Sequence, residues 1–173
     1  TFQDLIYFNE WISNVICSFL MQFSSKSNVK WPNDIILNDK KVCGILIENY
    51  RSNQEMHSIV GIGLNINQTD FIHLPKASSI RNVTDKEYDI QEILSELMQE
   101  FQNQYSILEE KNFDLIHETY LKHLFRKDEV SEFKLNGEIT KGIIRDVNNA
   151  GNLMIEINGN LEEFRHKEIE LLF

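Results

Sequence analysis

Cysteine, proline and positive charge are scarce in this 173-residue chain, which has two cysteines, two prolines and 17 basic residues against 27 acidic ones. Cys17 and Cys43 sit in apolar surroundings without metal-ligand spacing, so neither a disulfide framework nor a zinc site is expected, and both thiols read as reduced core residues. The formal net charge of −10 repels a phosphate backbone, which argues against direct nucleic acid contact by this chain. No apolar run approaches the length of a membrane span. The opening stretch is broken by Gln3, Asp4, Asn9, Glu10 and Asn14, unlike a signal peptide, so a cytoplasmic location without membrane contact is the expectation.

Several catalytic signatures are missing as well. There is no Gly-x-x-x-x-Gly-Lys-Ser/Thr phosphate loop, no His-Glu-x-x-His and no Gly-x-Ser-x-Gly elbow, and Gly61-Ile62-Gly63 lacks the third glycine and following helix of a dinucleotide fingerprint. The histidines at 57, 73, 117, 123 and 166 show no metal spacing, and His117 and His123 read as exposed, solvated side chains. No protein-held metal is expected.

What is present is enough for one substantial domain and a small second one. Leu5, Phe8, Ile12, Val15, Ile16, Phe19 and Phe23 recur at three-four spacing and predict a helix with one apolar stripe. A short strand at 29–31 runs into Pro32. The aliphatic runs 35–37 and 42–47 flank the polar cluster Asn38-Asp39-Lys40-Lys41 and predict a hairpin, and a further strand spans about 58–67. Residues 68–89 read as a long surface connection. Asp89 with Glu92 predicts an N-cap for a helix carrying Ile90, Ile93, Leu94, Leu97, Met98, Phe101, Tyr105 and Leu108, and a second helix spans about 113–124. After Arg126, the turn signals Asn136-Gly137, Asn149-Ala150-Gly151 and Asn158-Gly159 punctuate short apolar runs, predicting about five strands in an SH3-like barrel. The expected division is therefore 1–126 and 127–173.

The strand at 60–67 is informative because a period of two puts Val60, Ile62, Leu64 and Ile66 on one face and Gly61, Gly63, Asn65 and Asn67 on the other. The glycine face is either a floor that a ligand approaches closely or a surface beneath a packed helix. Lys41, at the end of the polar turn, is either a solvated lysine like Lys40 or a cation hanging over the backbone opened by Gly44, which shares its strand face with Val42, Leu46 and Glu48. Lys30 precedes the stiff Trp31-Pro32 pair and offers a second positive charge. Asn33 and Asp34 read first as turn-closing residues, with orientation of a lysine or a meeting with magnesium as the alternative for Asp34.

Lys30-Trp31-Pro32-Asn33-Asp34, then Lys40-Lys41-Val42-Cys43-Gly44-Ile45-Leu46-Ile47-Glu48, then Gly61-Ile62-Gly63-Leu64-Asn65-Ile66-Asn67 resemble, in this order and spacing, the motifs of the biotin protein ligases. The resemblance implies an α+β fold: part of a mixed β-sheet with helices on it, of the class II synthetase-like kind, followed by the SH3-like unit. It implies that biotin and ATP with Mg2+ give biotinyl-5′-adenylate and pyrophosphate, and that biotin then passes to a lysine of a biotin carboxyl carrier protein domain. Residue by residue, it implies that Lys41 is catalytic and contacts the biotin carboxylate and the phosphate. Gly44 and Ile45 then lie by the biotin, Lys30 and Asn33 near the nucleotide, and Asn65 by the adenylate, with Gly61 and Gly63 giving it room.

In that family a glycine/arginine-rich loop, a tryptophan segment and early strands lie upstream of these motifs, and none is present here. The expectation is thus the C-terminal part of such an enzyme, weak or inactive alone, since the missing loop supplies preorganisation. The alternatives are a non-catalytic binding or regulatory remnant and a lipoate ligase-like acyltransferase. A missing half-sheet also exposes apolar surface and strand edges, so self-association, a homodimer included, is expected.

Overall fold

The computed structural model describes residues 2–53 and 55–173. Its elements are α1 (Phe2–Leu20), β1 (Ser27–Lys30), β2 (Asp34–Leu37), β3 (Lys40–Ser52), β4 (Glu55–Leu64), α2 (Ile80–Thr84), α3 (Ile90–Glu109), α4 (Phe113–Lys122) and β5 to β9 (Val130–Leu135, Glu138–Val147, Leu153–Ile157, Asn160–Phe164, Ile169–Leu172). The first four strands form one antiparallel sheet in chain order, and the last five form a second sheet ordered β8-β7-β6-β5-β9. Return of the last strand to pair with β5 curls the second sheet towards a small barrel, in keeping with the expected SH3-like unit.

Helix α1 is buried more widely than a single stripe requires. Residues from Glu10 to Cys17 are all buried, because the helix is packed by α3 and α4 as well as by β1 and β2. Its buried polar groups are mostly satisfied: Ser13 donates to the Asn9 carbonyl and the Asn14 amide donates to the Ile116 carbonyl, although Asn14 Oδ1 has no partner among the described residues. Glu10 is paired with His117. Asp89 caps α3 by accepting from the backbone N–H groups of Gln91 and Glu92.

The turn between β2 and β3 is tighter than the polar cluster suggested. Only Asn38 and Asp39 form it, both at positive φ (49° and 60°), a backbone that suits a two-residue hairpin. Lys40 and Lys41 are therefore already in the strand. Residues 68–89 also differ from a surface connection, for Ser78, Ser79 and Ile80 are buried and Ser79 caps the short α2. The sheet needs that cover. The outer half of the β3–β4 hairpin leaves Leu46, Tyr50, Met56 and Ile59 exposed. No described helix is long and apolar enough to cross a membrane.

Both cysteines are free and buried, and burial pushes their thiols up to about 11 at Cys17 and about 12 at Cys43.

Candidate active site

Strand register builds the site. Lys30 pairs with Asp34 across β1–β2, Asp34 with Gly44 across β2–β3, and Gly44 with Gly63 across β3–β4. Residues in register share a face, so Lys30, Asp34, Gly44 and Gly63 form one row across all four strands. The neighbouring row, Val29, Ile35, Cys43 and Leu64, points the other way and packs into the core.

Lys41 joins the first row through an irregularity. Opposite Ile36 and Ile35 the strand skips from Lys41 to Cys43, which leaves Val42 as an extra, buried residue. An odd separation from Gly44 would ordinarily place Lys41 on the opposite face; the bulge returns it to the same one. Its Nζ lies 2.6 Å from Asp34 Oδ1. A Cβ added at Gly44 would meet Lys41 Nζ at 3.3 Å and Cε at 3.4 Å, so the glycine leaves room for the lysine to lie across it. The face assignment expected for Gly44 needs a correction in one member: Leu46 and Glu48 are exposed, whereas Val42 is buried because of the bulge.

The Trp31–Pro32 peptide is cis, and the turn around it is pinned from three sides. Asn9 of α1 and Tyr120 of α4 both donate to the Pro32 carbonyl, at 3.2 and 2.9 Å. The Trp31 indole donates to the Gly151 carbonyl at 3.0 Å and its ring meets His166 edge-on, tying the turn to the second sheet. Asp34 is not occupied in closing this turn; its carboxylate holds Lys41. A cavity of about 540 Å³ opens between the turn and the second sheet, lined by Lys30, Asn33, Asp34 and Lys41 on one side and by His166, Lys167 and Glu170 on the other. Lys30 is held below the ordinary lysine range, first by burial and also by the positive charges of Lys41 and Lys76, against the opposing pull of Asp34 and Glu170.

The expected site residues are thus not all equivalent. Lys30, Asn33 and Lys41 line the cavity, and Gly44 lies beneath Lys41. Gly63 stands in register with Gly44 and Gly61 lies further along β4 opposite Leu46, both exposed. Ile45 is 7% exposed on the core face, so towards the lysine side it offers backbone rather than side chain. The Asn65 amide donates to the Ser78 carbonyl, and Asn67 exchanges hydrogen bonds with the Tyr88 backbone; these side chains clamp the following segment instead of facing solvent.

Residues that the chain pattern did not single out include Lys76, His166, Lys167, Glu170 and Phe173, which adjoin the site from distant elements. Nothing periodic marks them. The expectation for His117 and His123 is also corrected, for both are half-buried; His117 has Nδ1 3.0 Å from Glu10 Oε2 and Nε2 4.0 Å from Asp146 Oδ1. Its hydrogen bond to Glu10 holds its pKa above the ordinary histidine value, against the effect of burial. The described residues contain no group of three or more His, Cys, Asp or Glu side chains able to hold a metal.

Residues 9–65, which contain the row and the bulge, match the model of the Biotin/lipoate A/B protein ligase family. Over a longer span, the chain resembles part of the biotin protein ligases. It is 29% identical over 154 residues to the bifunctional ligase/repressor BirA of Bacillus subtilis, covering 84% of this chain and 46% of that protein. It is 26% identical over 135 residues to the biotin–[acetyl-CoA-carboxylase] ligase of Mycobacterium tuberculosis, covering 78% and 49% respectively. The chain spans about half the length of these relatives. In fold it is like the biotin protein ligase of Aquifex aeolicus in complex with biotin and ATP, with a TM-score of 0.76 at 23% identity, covering 97% of this chain and 72% of that one.

Proposed function

We propose that this chain is the part of a biotin protein ligase that carries the lysine at which biotin and nucleotide meet. The observation that carries the proposal is the Asp34–Lys41 ion pair lying over Gly44 at the edge of the cavity. In this reading a biotin carboxylate oxygen attacks the α-phosphorus of ATP, the bond from that phosphorus to the bridging oxygen breaks, and pyrophosphate leaves with the electron pair. The ε-amine of a carrier-domain lysine then attacks the acyl carbon, loses a proton and displaces AMP.

The ammonium of Lys41 lies where charge gathers on the acyl and phosphoryl oxygens, and Asp34 fixes its direction beforehand. Gly44 and the Ile45 backbone are assigned to biotin; Lys30, Asn33, Gly61, Gly63 and Asn65 to the nucleotide, with Asn65 acting through its remaining amide oxygen. Magnesium enters as the MgATP complex. The partner is a biotin carboxyl carrier domain, the setting cytoplasmic, and the exposed β4 side is the surface assigned to self-association. We also divide the chain at 126/127, supported by the hydrogen bonds of residues 123–125 to Val29 of the first sheet and of Asp128 to Ile144 of the second.

The test is calorimetric titration of the folded chain with a non-hydrolysable biotinyl-adenylate analogue, with its lipoyl counterpart as competitor. Saturable binding is expected, weakened about a hundredfold by Lys41→Ala without loss of folded structure. Equal binding by Lys41→Ala would remove the assigned role, and preference for the lipoyl compound would move the substrate to the other branch of the family.

A further inference from the structure

Beyond the row and its cavity lies a second chamber, of about 350 Å³, reached past the same lysines. It shares Lys30, Asp34, Lys41, Glu170 and Leu171 with the main cavity and adds His73, Pro75, Lys76 and Phe173. Three ammonium groups thus face two carboxylates in a chain whose net charge is −10, and one of those carboxylates, Asp34, is already committed to Lys41.

Lys76 comes from a segment with no helical or strand periodicity, yet its backbone is fixed. The Lys41 N–H donates to the Lys76 carbonyl at 2.7 Å and the Ser78 N–H donates to the Lys41 carbonyl at 2.9 Å, a parallel bridge that locks residues 76–78 beside Lys41. Its ammonium stands 4.8 Å from the centre of the Phe173 ring, and that of Lys30 stands 5.7 Å from the same ring. The ring attracts both cations but cannot neutralise them. Neither Lys30 nor Lys76 forms an ion pair among the described residues. Two like charges gathered on one ring, beside a third on Lys41, make a place for a compact polyanion rather than for a neutral ring or an acyl chain.

We propose that Lys76, with Lys30 and the Phe173 ring, holds the pyrophosphate that departs when the adenylate forms. The inference rests on the ligase reading for the identity of its anion. In the step written above, negative charge builds on the bridging oxygen as its bond to the α-phosphorus breaks, and the two ammonium groups receive it. No proton or further reactant is required. Glu170 at the rim opposes the anion and favours its release once the bond is broken.

The experiment is calorimetric titration of the whole chain at low ionic strength with inorganic pyrophosphate, and separately with the biotinyl-adenylate analogue, which lacks the β and γ phosphates. Lys76→Ala is expected to weaken pyrophosphate at least about fivefold and the analogue less than about twofold, while Lys76→Arg restores pyrophosphate binding and Lys86→Ala, at a remote exposed position, changes neither. No pyrophosphate binding by the unaltered chain, or equal binding by Lys76→Ala, would overturn the proposal, as would equal weakening of both ligands. If the analogue fails to bind while pyrophosphate binds through Lys76, the ligase reading falls and the chamber stands as a polyanion site.

Discussion

Strand β3 serves two regions with opposite characters. Its first part, Lys40 to Ile45, is packed by β2, by the segment around Ala77 and by the core. Its second part, Leu46 to Ser52, pairs with β4 alone among the described strands and is largely exposed, with Tyr50 stacked on the ring of His57. The same strand is thus a precise mount at one end and an open ribbon at the other. The difference lies in the neighbours that each part packs against. A lysine on the outer ribbon would be one solvated charge among many; on the inner part it is held by a carboxylate, a glycine and a bulge.

The largest break in that contrast comes from beneath the packed end. His117→Ala leaves the buried Glu10 without its cation and is expected to lower stability by about 3 kcal/mol, measured by denaturant unfolding at pH 6. The sign with pH follows from the raised folded pKa: the contribution is complete below the unfolded histidine pKa of about 6.5 and is lost as pH rises through the higher folded value. The deficit of the variant should therefore shrink between pH 6 and pH 9. A constant deficit would mean that charge on His117 contributes nothing.

A smaller effect is expected at the mount itself. Gly44→Ala places a methyl carbon 3.3 Å from Lys41 Nζ, and the lysine, being flexible, moves off Asp34. Binding of the biotinyl-adenylate analogue should fall about tenfold with stability changed by under about 1 kcal/mol. A large stability loss with unchanged affinity would show that Gly44 serves packing. The smallest effect belongs to the ribbon. Ile59→Lys should alter stability by no more than about 0.5 kcal/mol while reducing self-association in sedimentation, because a charge on an edge strand opposes pairing. Stability loss there would mean that the outer hairpin is covered in solution.

Much of this architecture was readable in the residue pattern because it rests on local rules. The α3 stripe with its Asp89 cap and the alternation that sends Val60, Ile62 and Leu64 inward are periodic features, and the Asn-Gly turns of the second sheet are chemical ones. The row from Lys30 to Gly63 was legible only as separate motifs, since the register joining them is a property of pairing. Three matters were hidden for definite reasons. The bulge at Val42 violates the alternation that pattern reading assumes. Asp34 reads first as a turn residue because it closely follows Pro32, whereas the pairing sets its carboxylate against Lys41. Lys76 and His117 draw their surroundings from residues about thirty to a hundred positions away, which no local window contains.

The bulge has one further consequence, for how such a chain can change by descent. Lengthening the turn at Asn38 and Asp39 leaves the three-residue interval from Lys41 to Gly44 untouched, so insertions there are tolerable to the site. A single insertion or deletion inside the interval resets the alternation against Gly44, and any variant that does so must move its lysine in compensation or lose the charge from that face. Natural length variation should therefore gather on one side of Lys41 and be absent from the other.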